Sequence, residues 1–348
     1  MLHKANNNFD FTRLIAAFGV IIAHSYALYG NEHPFYFKRL GEYSVRTFFV
    51  ISGYLIIASI LRSKNIQEYA KKRFLRIYPA LFVLIIFSIF ILGPIFTVLP
   101  LKEYFSNGLT WKYLRNLVFT INYSLPGVFE KLPLAETVNG SLWSLVYEVK
   151  FYFILAFIHI CKWTNKKSFL YIFITTLCIF TCLSLSIDII VSNNLITIKA
   201  IGKISRFMQG TIAFFIGCLI YLYRDKIKFN YKNAIYAVLA FIISVLFDLS
   251  IISFILEFTS FSYLVIYFAR LNIPFISNFS RFGDYSYGVY LYGFPIQQAL
   301  VALNLKYNLK IGFYHYIFLC IIASLACAFF SWHLVEKKFL VRKINLFQ

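Results

Sequence analysis

The stretch Phe11-Thr-Arg-Leu-Ile-Ala-Ala-Phe-Gly-Val-Ile-Ile-Ala-His-Ser-Tyr-Ala-Leu-Tyr29 decides the fold class. A helix needs about 20 mostly apolar residues to cross the hydrocarbon of a bilayer, and this run is long enough. It is too long, and too interrupted by Arg13 and His24, for a cleavable signal, so it is expected to remain as the first membrane span. Working outward, the same criterion marks nine further runs, near 44–62, 77–98, 142–161, 168–187, 206–223, 232–249, 251–269, 283–303 and 312–334. Read as one helix, 232–269 would be nearly two bilayers long at about 1.5 Å per residue, so a break is expected near Asp248–Ser250. Composition agrees: of 348 residues 60% are hydrophobic and only 14% charged. A soluble chain of this size would lack the polar surface to cover its core. The expectation is an all-α, polytopic integral membrane protein of about ten transmembrane helices, with a single membrane domain over 1–348.

The net charge of +20, from 34 Lys+Arg against 14 Asp+Glu, would suggest nucleic acid in a soluble chain. In a chain this apolar it reads instead as loop charge at one membrane face, and no nucleic-acid partner is expected. With the N-terminus placed in the cytoplasm, 20 basic residues fall on that side and 12 on the other, leaving Arg13 and Lys150 inside spans. Both termini are therefore expected to be cytoplasmic. The longest loop, 99–141, then lies outside; it is either a cover for the outer mouth or a connector with an interfacial helix near 111–119. The six cysteines lie in or beside apolar runs without metal-ligand spacing, so no metal site is expected.

An ionisable residue within a span is costly and invites a functional reading. Arg13 and His24 are 11 residues apart, hence on one helix face and separated by about 16 Å along the axis. Taken singly, Arg13 reads equally as an interfacial anchor paired with Asp10, and His24 as a packing histidine. Glu148 lies six residues inside the outer boundary of its span, at the depth of His24, where a His–carboxylate pair would serve proton transfer. Tyr152 follows Glu148 at i+4 on the same face. The simpler reading is that Glu148 neutralises Lys150 or Arg46. Arg73 and Arg76, three apart at the start of the third span, can face one ligand, and guanidinium pairs suit phosphates. For Lys71 and Lys72 a plain anchoring role is preferred.

With these residues in place, the chain resembles the membrane acyltransferase-3 family, bacterial integral-membrane enzymes that O-acylate, usually O-acetylate, cell-surface carbohydrates. The resemblance covers nearly the whole chain. Asp10-Phe-Thr-Arg-Leu-Ile-Ala-Ala with His24 resembles the family's first-span signature. Phe48-Phe-Val-Ile-Ser-Gly-Tyr-Leu-Ile56 resembles its second, and Arg73-x-x-Arg-Ile-x-Pro79 the basic start of the third span. Trp143-Ser-Leu-x-x-Glu148-x-x-Phe-Tyr152, Ser286-Tyr-Gly-Val-Tyr-Leu-Tyr-Gly-Phe-Pro295 and His333-Leu-Val-Glu336 complete the series. Two positions depart from it. Arg46 stands where many relatives carry an acidic residue, and Gly293 where many carry His.

The resemblance implies a cytoplasmic acyl-CoA donor, most often acetyl-CoA, as substrate, with no tightly bound cofactor. Arg13, Arg73 and Arg76 are then the candidates for its phosphates, as a cationic inner rim. His24, oriented by Glu148, is expected to act as general base on a sugar hydroxyl, with a covalent acyl-His intermediate as the competing mechanism. Ser52, Trp143, Ser144, Tyr152 and Tyr290 are candidate substrate contacts, although span hydroxyls and aromatics also pack. The implied acceptor is a carbohydrate of O-antigen, capsule or exopolysaccharide, either lipid-linked or growing. The implied location is the bacterial cytoplasmic (inner) membrane, as a multi-pass protein; the oligomeric state is left open. With no extramembrane hydrolase-like domain expected, transfer would be completed within the membrane domain. The rival function is a transporter or flippase of a lipid-linked glycan, which ten spans and buried charges also fit. No repeated halves with matching broken helices support it. A purely structural subunit would leave Arg13 and His24 on one face without a purpose.

Overall fold

The computed structural model describes residues 7–32, 34–192, 198–247, 251–277, 279 and 283–340; of 184–192 and 198–200 only the backbone is described. It is 80% helical with no strands among the described residues, apart from an isolated bridge between Thr97 and Val128. Ten long helices follow in order. They are α1 (Phe9–Tyr29), α2 (Phe35–Leu61), α3 (Ile66–Phe87), α4 (Leu142–Ile160) and α5 (Lys166–Ser192). Then come α6 (Ile198–Leu222), α7 (Tyr231–Leu246), α8 (Ile251–Arg270), α9 (Ser286–Tyr307) and α10 (Phe313–Ser331). Each expected span overlaps one of them; the span expected at 77–98 runs on from α3 through a π-helical stretch, Ser88–Leu92, and a short helix, Gly93–Phe96. The expected break at Asp248–Ser250 lies outside the described residues, between α7 and α8.

Eight of these helices are long and apolar enough to cross a membrane. The other two are α7, which is apolar but only 16 residues, and α9, whose Gln297, Gln298 and Asn304 dilute its apolar character. The outward faces are apolar: Phe153 of α4 is 72% exposed, and almost none of α5 from Lys166 to Leu183 is buried. Surfaces of that kind need lipid rather than water around them. The chain is an all-α, multi-pass membrane protein.

The helices start earlier than the apolar runs. The first turns of α2 carry Lys38, Arg39 and Glu42, and those of α3 carry Glu68, Lys71, Lys72, Arg73 and Arg76. These turns extend the helices beyond the apolar runs, and Glu68 and Lys72 pair at i,i+4 with 2.6 Å between them. The interfacial helix expected near 111–119 is a short helix, Gly108–Lys112, running into a 3₁₀ stretch, Tyr113–Val118.

Two compact units make up the chain, each assembled from three separated stretches. The first holds 1–9, 46–66 and 147–273, thus the second half of α2, most of α4, and α5 to α8. Its packing depends on close backbone approach. A Cβ at Gly53 of α2 would overlap the carbonyl of Phe214 in α6, and one at Gly217 of α6 would overlap the carbonyl of Val50. Small residues facing each other let membrane helices meet in this way. The second unit holds 10–45, 67–146 and 274–348, thus α1, the first half of α2, α3, the long loop, the start of α4, α9 and α10.

Candidate active site

Arg13 and His24 both stand on the unbroken helix α1, which preserves the expected separation of about 16 Å. At the Arg13 end, α9 begins at Ser286 rather than at 283, which leaves Asp284 in the turn ahead of it. This buried carboxylate is the centre of a network in the second unit. Its Oδ2 accepts from Arg76 Nη2 of α3 at 2.6 Å and lies 3.3 Å from Arg13 Nη2. Its Oδ1 accepts from the Ser286 hydroxyl at 2.5 Å and the Ser286 amide at 3.3 Å. Arg13 also pairs with Asp10 at 2.6 Å, the anchor that the sequence offered as the local reading. Burial would raise the pKa of Asp284, but the guanidiniums of Arg13 and Arg76, with the Ser286 donors, hold it well below the usual carboxylate range.

Two of the three arginines of the expected rim, Arg13 and Arg76, are therefore balanced by Asp10 and Asp284 instead of forming a bare cation cluster. Asp284 was not foreseen; its sequence signal is that it is the only acidic residue between Glu257 and Glu336. Arg73 lies half-buried on α3, three residues before Arg76. The turn is closed by two more of the quoted signatures: Tyr287 of α9 donates to the Ile77 carbonyl at 2.9 Å, and Tyr285 meets His333 Nε2 at 3.2 Å.

Toward the other end of α1, His24 is half-buried, with its ring edge-on to Phe294 of α9 at 5.4 Å between centroids. One turn on, Gln297 of α9 donates from Nε2 to the Ile21 carbonyl and to Ser25 Oγ, both at 2.8 Å. Gly293 is where a side chain would crowd this contact: a Cβ there would lie 3.0 Å from Ile21 Cγ1. Pro295 cannot donate to the Leu291 carbonyl, and Asn139 of the long loop supplies the missing donor at 2.9 Å. Beside it the Ser144 and Tyr290 hydroxyls share a hydrogen bond, and the one that accepts there keeps its proton for the Ser141 carbonyl, 3.2 Å from each. Trp143 is half-buried at the start of α4. Of the predicted substrate contacts in this unit, Ser144 and Tyr290 thus meet each other and fix the end of the loop.

Glu148 belongs to the first unit. Its Oε1 accepts from Ser52 Oγ of α2 at 2.7 Å and from Tyr152 one turn along α4. Three predicted site residues, Ser52, Glu148 and Tyr152, therefore converge on one carboxylate oxygen, and the i+4 expectation for Tyr152 is met. Arg46, offered as a neutraliser of Glu148, forms an ion pair with Glu257 of α8 at 2.6 Å and lies 3.8 Å from the Phe258 ring centroid. The arrangement supplies an oriented carboxylate in one unit, and in the other a half-buried imidazole on the same helix as a bidentate-capable arginine centre.

The model of the acyltransferase-3 family, described as an acyltransferase domain, matches residues 6–333. An O-acetyl transferase of Shigella phage Sf6 is 33% identical over 350 residues, covering 98% of each chain. Nodulation protein 10 of Rhizobium leguminosarum bv. viciae is 33% identical over 161 residues, 43% of each chain. No solved structure matches.

Proposed function

Because the chain belongs to this acyltransferase family, a membership shown by the match over residues 6–333, we propose that this membrane O-acyltransferase moves an acetyl group from cytoplasmic acetyl-CoA to a carbohydrate hydroxyl. The observation that carries the O-acetyl reading is the 98% coverage of an O-acetyl transferase at 33% identity. The acceptor in this reading is a cell-surface or lipid-linked glycan, O-antigen, capsule or exopolysaccharide, and the location is a bacterial inner membrane. The donor's phosphates engage Arg13, Arg73 and Arg76. A guanidinium carries five donors, so sharing one carboxylate does not exhaust a pair of them.

His24 and Glu148 are assigned to the chemistry from the sequence register. His24 takes the proton of the attacking hydroxyl as the new ester C–O bond forms, and the coenzyme thiolate leaves as the thioester C–S bond breaks. In the covalent variant the acetyl group rests first on His24 and then passes to the hydroxyl. The test is transfer from labelled acetyl-CoA to acceptor glycan in membranes carrying the protein. The expected product is a base-labile ester on glycan, lost in His24→Ala at equal expression. Absence of ester with the wild type, or wild-type yield with His24→Ala, would overturn the reading.

A further inference from the structure

The first unit holds an open apolar groove of about 660 Å³ between α5, α6, α7 and α8, remote in sequence from every residue assigned above. That volume lies within the ~300–1,000 Å³ usual for small-molecule sites. Its floor is opened by the small side chains Ala237 and Ala240 of α7, and Leu170, Ile216 and Leu256 are among its walls. From Tyr263 to Leu256 it follows seven residues of α8, about 10 Å of depth into the span.

Four of the polar groups along it are already used. Thr259 and Ser260 donate to carbonyls of their own helix, Ile255 and Leu256. Tyr223 donates to the Lys166 carbonyl at 3.1 Å and Tyr263 to the Lys228 carbonyl at 2.9 Å. The remaining polar groups are the hydroxyl of the exposed Tyr236 and the ammonium of Lys226, the latter at the loop end of the groove. Among the described residues no carboxylate lies within ion-pair distance of it, since Asp225 faces Lys166 at 3.3 Å and Arg224 at 3.9 Å. Around this mouth stand Lys166, Lys167, Arg224, Lys226, Lys228 and Lys232 against Asp225 alone. The charge bias assigns this loop to the cytoplasmic face.

We propose that the groove binds one anionic glycerophospholipid of the surrounding leaflet, an acyl chain lying along Ala237 and Ala240 and the phosphate at Lys226. An apolar slot opening to lipid, with Lys226 lining its loop end and an excess of cations in the loops beside it, selects for a headgroup of negative charge over a zwitterionic one. Basic pockets between spans at the cytoplasmic surface recognise anionic lipids by this chemistry.

The full-length protein is reconstituted into nanodiscs of phosphatidylethanolamine and phosphatidylglycerol, and the lipids retained on extraction are counted by native mass spectrometry. Wild type is expected to retain phosphatidylglycerol above its bulk share. Lys226→Glu should reduce that retention by about fivefold, one near-surface cation's worth. Ala240→Phe, which fills the slot, should reduce retention of both lipids. Lys64→Glu, the same charge change in the loop between α2 and α3, should retain lipid as wild type does. Equal retention by wild type and Lys226→Glu would overturn the proposal. So would displacement of phosphatidylglycerol by an equimolar polyprenyl phosphate, which would make the groove a carrier-lipid site. Lys226 is on an exposed loop, so its variant keeps the test valid if Ala240→Phe does not fold. Lipid retention is read without acetyl transfer, so failure here leaves the enzymatic reading standing.

Discussion

Ser52 and Tyr152 both donate to Oε1 of Glu148, so one carboxylate oxygen is held from α2 and from the next turn of α4. A hydrogen bond to a charged group is worth about 1.5–3 kcal/mol. If Glu148 works in the reaction, Ser52→Ala and Tyr152→Phe should each lower kcat/KM by about ten- to a hundredfold. The double variant should lose less than the product of the two, because both act on the same oxygen. Losses that multiply fully, measured at equal expression, would argue that the two hydroxyls act independently of Glu148. Asp284 makes a stronger claim. Asp284→Asn leaves Arg13 and Arg76 without their shared charge, and breaking a buried ion pair from one side costs about 3–5 kcal/mol. The pKa of Asp284 is lowered in the folded state, so its contribution is fully present above the ordinary value of 3.8 and is lost as pH falls below it toward the folded value. Thermal melts between pH 3 and pH 6 should therefore show wild type losing stability below about pH 4, and Asp284→Asn, already less stable, should show less of that loss. The arginines were legible because charge in or beside a span is conspicuous. Their partner was not, because a carboxylate 208 residues from Arg76 announces no pairing along the chain.

At the level of elements, Pro295 and Asn139 show a helix defect and its repair. The proline removes the donor that the Leu291 carbonyl would have used, and the Asn139 side chain replaces it from the long loop. Asn139→Ala should leave a buried carbonyl without a donor and cost about 1–3 kcal/mol. In Pro295→Ala the helix regains its own amide, so adding Asn139→Ala to that variant should cost distinctly less. Equal costs of Asn139→Ala in both backgrounds, by thermal unfolding in detergent, would show that Asn139 serves some other contact. Gly53→Ala tests the opposite kind of constraint, since its methyl would meet the Phe214 carbonyl in the α2–α6 contact. Overpacking of that sort costs about 1–3 kcal/mol, and a melting temperature unchanged from wild type would refute the close approach. The existence of these helices was legible, because about 20 apolar residues in a row have no other common use. Their ends were less so. The charged first turns of α2 and α3 continue the helix beyond the apolar runs, where hydropathy has nothing to report. Pro295 was visible as part of a signature, but which side chain would answer it depends on a loop 156 residues earlier, and short-range pattern carries no such information.

Across the whole molecule, the +20 charge is a statement about two faces of a membrane. The loops between α2 and α3, α4 and α5, and α6 and α7, with the helix turns beside them, carry the basic clusters, while the long 97–141 segment has only Lys102, Lys112, Arg115 and Lys131, offset by Glu103, Glu130 and Glu136. Orientation follows the cationic loops close to span ends, so the proposed topology puts these clusters in the cytoplasm and the long loop outside. The acetyl donor of the proposed reaction is cytoplasmic, which makes orientation a functional matter: reversed, the Arg13–Asp284–Arg76 centre would face away from it. Lys131 in the long loop and Lys64 between α2 and α3 are both exposed, and each accepts a cysteine at a polar surface. In a background lacking the six native cysteines, Lys131→Cys should react with a membrane-impermeant maleimide on intact cells. Lys64→Cys should react with it only after the cells are opened. The reverse pattern would place the arginine centre on the outer side and would require an extracytoplasmic donor. Labelling of both positions in intact cells would show that α3 fails to cross, even though the helical stretch Ile66–Phe96 holds, with a mean hydropathy of 2.6, the most apolar run of the eight span candidates among the described residues.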